Sequence, residues 1–441
     1  MARLCRRRPL GALAVSLVAW AAAGDAWASE TPPAAPPAAS HAEAGHQGHT
    51  SARRMSYEEA LRLGAEHGPG VGAARAPARA YREAVSRSNP LLVQAPELTA
   101  QLGPRFSRGT TTPEVVVGVS QPIALVDVGA AQEKLARAEV RSTVSDVERV
   151  RLLAAERAGN AWIELALAER LLALRQSALV AAQRTLAIAS ARVAHGEGQP
   201  AESAQAASDV ALIRTSVLDA EGLVVDASLD LRFATGVDQG LAARGALEEL
   251  RPSAAGSRGT PSGEHPDVAA ASARARVAAA RIDYQVAQQV PSFSVGVQYQ
   301  REGTGDQIVT GMLGVPLAFQ RPWAYQEALE RAEYERARAE VAVVERTNRV
   351  EIERASHELS HSELEHHMLV SEALPAHEEA LRLAEAEYAA GASDFTRVST
   401  ARLRALELEE RVARALGRLH KARLRLERAR GTLLVNWGMD Q

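Results

Sequence analysis

Five consecutive residues of this chain, His357-Glu358-Leu359-Ser360-His361, match the pattern H-E-x-x-H. On a helix the two histidines lie one turn apart on one face, where they can hold zinc, and the glutamate can act as general base. His367 stands where the longer zincin pattern has its third ligand, but Leu364 stands where that pattern needs glycine to turn the chain back. If the helix continues, His367 lies about 80° from His357 and about 9 Å along the axis from His361. One ion cannot gather all three, which disfavours a secreted zinc metalloprotease. A looser metal chemistry is open to His357, His361, His366, His367 and His377, interspersed with Glu358, Glu363 and Glu365. Neutral imidazoles and carboxylates suit borderline divalent metals. The bland alternative is a set of solvated histidines on a helix face.

Other chemistries find little support. The single cysteine, Cys5, excludes a disulfide framework, and no phosphate-cradling glycine loop or nucleophile elbow occurs. A formal net charge of −3 with mixed signs gives no basic footprint for nucleic acid. No cofactor is expected.

The elements that position these residues are dominated by a duplication. Leu165, Leu172, Leu179 and Leu186 recur every seventh residue, with Leu167, Leu174, Ala181 and Ile188 two positions on. Shifted by 195 positions, the later five fall on Leu369, Leu374, Ala376, Leu381 and Leu383, and Gly196 falls on Gly391. Leu165, Leu167 and Leu172 instead meet Ser360, Ser362 and His367, so the match fades there. Two long helices are expected, about Asp127–Ala194 and Tyr325–Ala390, each with a heptad seam that asks for a packed neighbour. Some 65–70 helical residues reach roughly 100 Å. Pro375 should kink or interrupt the second helix, whereas Val180 takes its place in the first.

From the N-terminus, residues 1–28 read as a signal peptide: Arg3, Arg6, Arg7 and Arg8, an apolar run Leu10–Ala23, then Ala26-Trp27-Ala28. An uncleaved anchor is the alternative, although the run is short for a membrane span. Cleavage would remove four Arg and one Asp and take the net charge from −3 to −6. Residues 29–54, Pro/Ala-rich with His41, His46 and His49, have the composition of a disordered leader. Residues 55–235 form a first structural repeat, 236–263 a connecting segment and 264–441 a second repeat. Each repeat opens with a helix, about Met55–Arg87 and about Asp267–Gln288. Two strand-like segments follow, about Leu92–Gly103 and Glu114–Gln121, then about Pro291–Glu302 and Gln307–Pro316. Ser292–Gln300 alternates large apolar with small or polar residues, and Ser107–Thr110 and Gly303–Asp306 are hairpin turn signals. After Gly196–Pro200 and Gly391–Asp394 the chain returns through helices Ala201–Arg232 and Phe395–Arg430.

Alternating segments of about ten residues are what transmembrane β-strands need. Four strands cannot close a barrel, and open edges are not tolerated in lipid, so strands in a bilayer would have to be shared between subunits. A soluble four-stranded sheet, or a structural periplasmic coiled coil, stays open at this point.

The layout resembles the TolC-like outer-membrane factor (outer membrane efflux protein) family across about residues 55–441. The resemblance rests on the duplicated helix–hairpin–helix order and the turns Ala191–Gly196 and Ala386–Gly391. It rests also on Val119-Ser120-Gln121-Pro122 and Val315-Pro316-Leu317-Ala318-Phe319 ahead of the long helices. It implies a mainly α fold with a small β part: a trimer with a 12-stranded outer-membrane β-barrel on a long periplasmic α-helical coiled-coil barrel. It implies a passive exit duct, in contact with outer-membrane lipid, that partners a periplasmic adaptor (membrane-fusion) protein. The energy comes from an inner-membrane transporter, here expected to be of resistance-nodulation-division type. The tunnel entrance and adaptor-docking turns would comprise Arg192, Gly196, Gly198, Tyr388, Gly391, Asp394, Arg397 and Thr400. Arg397 and Thr400 stand where well-studied members narrow the entrance with a carboxylate pair, a departure that leaves only Asp394 to substitute. The histidines tilt the expected cargo towards heavy-metal cations and the subgroup towards CzcC-like ducts.

Overall fold

The computed structural model describes residues 53–88, 95–107, 109–196, 198–250, 264–290, 292–303, 305–315, 324–390 and 392–439. The expected signal peptide, nearly all of the expected leader, residues 251–263 of the connecting segment, Pro316–Phe319 and Gly391 lie outside them.

Helix α3 runs 67 residues, Val128–Ala194, without a proline, which at about 1.5 Å per residue is roughly 100 Å. Asp127 caps it by accepting from the Ala130 amide at 2.8 Å. It ends where Gly196 adopts φ 76°. The return helix α4, Pro200–Thr235, starts with proline in its first turn and ends on Gly236 at φ 70°, whose amide reaches the Arg232 carbonyl at 2.9 Å.

The second copy repeats this with one break. Helix α5 spans Pro266–Gln289; α6 spans Ala324–Met368; a single π turn, Leu369–Ala373, precedes α7, Leu374–Ala389; and α8 returns over Phe395–Ala429. The interruption expected at Pro375 is this π turn, because proline offers no amide to the preceding turn and its ring crowds the backbone there. Val180 sits in uninterrupted α3.

The strands β2 (Glu97–Ser107), β3 (Thr110–Ala124), β5 (Ser292–Arg301) and β6 (Gln307–Gly314) form one antiparallel sheet in the order β2-β3-β5-β6. Each hairpin supplies a neighbouring pair, and β3 joins β5 across the two copies with Val119 opposite Val297. β5 and β6 fall within two residues of the expected bounds, β2 runs on to Ser107, and β3 extends beyond both expected ends and carries Pro122 within it, opposite Ser294.

Three further expectations need correction. The single opening helix Met55–Arg87 is two, α1 (Tyr57–His67) and α2 (Val71–Arg87), split at Gly68-Pro69-Gly70 where Gly70 takes φ 87°. Met55 itself ends a short strand, β1, Arg53–Met55. Within the connecting segment, β4, Leu241–Ala243, pairs in parallel with β1, and Leu247–Glu249 form a 3₁₀ turn. Finally, the heptad seam is only partly buried within the chain. Leu165 and Leu174 are buried, but Ala181 and Ile188 are exposed, and the buried line passes instead through Leu171 and Ala189. A straight helix drifts about 20° per heptad against a seven-residue repeat, so the face in contact with α4 and α8 moves off the leucine row.

The main core lies where both copies meet. Trp162 is fully enclosed and donates from Nε1 to the Met55 carbonyl at 2.7 Å. Tyr57 packs edge-on against Trp162 at 5.5 Å and against Trp437 at 5.2 Å. Leu61, Ile163, Leu231, Leu241, Leu247, Leu424 and Leu433 complete it, so both chain halves and the C-terminal turn, α9 (Leu433–Asn436), share one core.

Candidate functional site

The sheet is two-faced. Leu98, Leu102 and Phe106 of β2, Val115, Val117, Val119 and Ile123 of β3, Val295, Val297 and Tyr299 of β5, and Val309 and Leu313 of β6 are all exposed. The registers put them on one side: Leu98 faces Val119, Val117 faces Tyr299, and Val295 faces Leu313. The opposite side carries Thr99, Gln101, Arg105, Thr112, Glu114, Ser120, Ser294, Gln298 and Gln300, interrupted by Val116, Ile308 and Met312. A strand's side chains alternate with period two, so an apolar wall backed by a polar one follows from the sequence once the register is fixed. Among the described residues the outer edges of β2 and β6 have no partner strand. No described helix is long and apolar enough to cross a membrane.

At the far end the two helix turns come together. Gly198 donates to the Arg192 carbonyl at 3.1 Å, and a Cβ on Gly198 would stand 3.1 Å from the Cβ of Arg192. The Arg192 guanidinium lies over the Tyr388 ring, 5.1 Å from its centre, and Tyr388 packs edge-on against buried Phe395 at 6.1 Å. Ala189 and Ala206 close that cluster. Asp394 accepts from the Arg397 amide at 3.0 Å, so its carboxylate caps α8. Exposed Arg397 pairs with half-buried Glu387 at 2.9 Å, and Thr400 is exposed on the same helix as Arg397. The structure thus groups Arg192, Gly198, Tyr388, Asp394 and Arg397 around the two turns.

The histidines behave differently. His357 and His361 lie on uninterrupted α6 and are exposed; His366 is partly buried, which together with neighbouring His367 holds its pKa below the ordinary range. Glu358, the would-be base, is bound by Arg425 at 2.8 Å. Among the described residues no group of three or more His, Cys, Asp or Glu converges on one point. The protease arrangement is therefore absent: the helix continues where glycine would have turned it, and the carboxylate is occupied by a guanidinium.

Sequence reasoning missed the polar contacts that bind the helices. Arg425 also holds Glu351 at 2.8 Å, and Arg418 holds Glu365 at 2.8 Å, so α8 is ion-paired along α6. Arg175 of α3 donates to Glu410 of α8 at 2.7 Å and to the Ser216 carbonyl of α4 at 2.8 Å. Near the turns, Arg402 spans from Glu385 to Thr185, and Ser399 donates to Asp209, beside a cavity of about 270 Å³ lined by Leu174, Ile213 and Leu406. No local signal marks these pairs, since each joins residues far apart in the chain.

Against known proteins, the sequence pattern of the family described as Outer membrane efflux protein matches residues 71–237 and 262–432. No curated protein matches the chain. Among solved structures, CusC, described for conformational changes accompanying folding and transmembrane channel formation, superposes with a TM-score of 0.70 at 15% identity, covering 85% of this chain and 92% of that one. The outer membrane protein VceC from Vibrio cholerae gives 0.67 at 16%, covering 85% and 96%. The open state of the Neisseria gonorrhoeae MtrE outer membrane channel gives 0.65 at 17%, covering 86% and 89%. At these identities the likeness is one of fold, and it extends over both copies of the helix–hairpin–helix unit.

Proposed function

The chain belongs to the outer membrane efflux protein family, and on that premise we propose that it is the exit duct of a tripartite efflux pump. It is an outer-membrane channel protein with a periplasmic helical extension, and not an enzyme. The observation that carries the reading is the two-faced sheet, whose outer edges have no partner strand among the described residues. Lipid tolerates no open edge, and four strands are too few to close. Three copies of the four-stranded sheet make twelve strands, with the apolar wall towards lipid and the polar wall towards water.

In this reading α3–α4 and α6–α8 of three chains form the helical tunnel, a coiled-coil barrel. The turns at Arg192–Gly198 and Tyr388–Thr400 form its entrance and the docking site of a periplasmic adaptor. The N-terminal signal peptide directs export. Transport through the tunnel is passive, and an inner-membrane transporter of resistance-nodulation-division type supplies the energy. Divalent heavy-metal cations are the cargo class that the histidines of α6 and α7 favour.

The test is the mass and location of the processed protein extracted in mild detergent, followed by conductance in a planar bilayer. A trimer from the outer-membrane fraction that conducts supports the duct. A monomer without conductance overturns it.

A further inference from the structure

We infer that His357 and His361 form a two-histidine site for a divalent transition-metal ion on the exposed wall of α6. The helix is unbroken from Ala324 to Met368, so these residues lie about 40° apart around the axis and about 6 Å apart along it. That is the spacing at which two imidazoles reach one ion.

Both side chains line the same groove, of about 410 Å³, with Glu358, Ser362, Glu365, Arg418 and Lys421. Every charged group in that groove already has a partner. Glu358 is held by Arg425, Glu365 by Arg418, and Lys421 by Glu164. The cations that would repel a metal are therefore neutralised locally. Neither carboxylate is left to form an ion pair with the histidines. Among the described residues no hydrogen bond or ion pair engages either ring, so each keeps a nitrogen lone pair for an ion.

With two protein ligands, water completes the coordination. The site is exchangeable rather than structural, since structural zinc takes four protein ligands. Imidazole donors select Ni²⁺, Cu²⁺ and Zn²⁺ over Mg²⁺ and Ca²⁺. His366 and His367 cannot do the same, because adjacent residues project about 100° apart on a helix. The inference does not depend on which cargo the duct carries, and it stands on binding alone.

The experiment is calorimetric titration of NiCl₂ into the untagged full chain in detergent, with His41, His46 and His49 replaced by alanine to silence the leader. One Ni²⁺ per chain is expected. His357→Ala or His361→Ala alone should weaken it at least about tenfold, and His366→Ala/His367→Ala should leave it unchanged. The double variant His357→Gln/His361→Gln, which keeps polar side chains on the exposed face, guards against loss of fold and should lose the site. With Cu²⁺ in place of nickel, the electron paramagnetic resonance spectrum should show two bound nitrogens. No binding by the background protein, or an isotherm unchanged in the His357→Gln/His361→Gln variant, overturns the proposal. Neither result bears on trimer formation or conductance, so the duct reading stands or falls separately.

Discussion

Arg175 and Glu410, 235 positions apart in sequence, meet at 2.7 Å and join the long helix of the first copy to the return helix of the second. Both side chains are nearly enclosed, at 15% and 11% exposure. Arg414 adds a second guanidinium to Glu410 at 2.6 Å, and Arg175 also donates to Ser216. Burial works to raise the Glu410 pKa, but the two arginines outweigh it and hold it below the usual carboxylate range. Glu410→Ala leaves Arg175 enclosed without its counter-charge and should cost about 3 kcal/mol. Denaturant unfolding of the detergent-solubilised protein measures this, and a loss under about 0.5 kcal/mol would place the pair with ordinary surface ion pairs.

His420 sets a pH dependence. Burial, helped by Arg423 and His366, lowers its pKa to about 4, and its Nε2 has no hydrogen-bond partner. The folded state therefore binds this proton less readily than the unfolded chain, where histidine titrates near about 6.5. The stabilisation is complete above about pH 6.5 and is lost as pH falls towards 4. A melting curve taken across that range should slope downward with acidification, and His420→Gln should flatten the slope.

The two faces of the sheet should respond oppositely to charge. Val117→Lys places an ammonium mid-strand on the apolar wall and should cost about 2–4 kcal/mol in the bilayer. Gln298→Lys, opposite Gly118 on the polar wall, should be tolerated. The yield of folded protein in the outer-membrane fraction separates them, and equal yields would reject the assignment of faces.

Gly236 holds α4's end at φ 70°, with its Cβ direction 3.1 Å from the His67 carbonyl oxygen. Gly236→Ala should cost about 1–2 kcal/mol from the left-handed backbone alone. Hydrogen exchange should rise first in the last turn of α4 and in β4.

At the turns, the half-buried Arg192–Tyr388 stack should contribute about 1 kcal/mol, between the exposed and the desolvated cation–π cases. If the turns part on opening, Tyr388→Ala should raise the open fraction up to roughly fivefold. Single-channel recording measures it, and an unchanged open fraction would leave the stack a local packing contact.

Much of this protein was legible because its signals are local. Gly196 and Gly391, the leucine rows and the alternation in Ser292–Gln300 reveal two helix–hairpin–helix units, since helix and strand periods are written along the chain. Leu364 in place of glycine was enough to exclude a three-histidine centre. Pro375 located the interruption of the second long helix. The Gly68-Pro69-Gly70 break between α1 and α2 is an equally local signal.

What tertiary structure alone decided is partnership. Period two says that Val119 and Val297 share the character of an apolar face, not that β3 pairs with β5. A heptad says that α3 needs a neighbour. It does not say that contact with α4 and α8 will bury Leu171 and Ala189 while exposing Ile188. β1 and β4, three residues each, carry too little pattern to announce that they pair. Arg175 could have met any acid on a facing helix. Which one it met depends on helix register and crossing, and these are fixed by the packing of the whole core around Trp162.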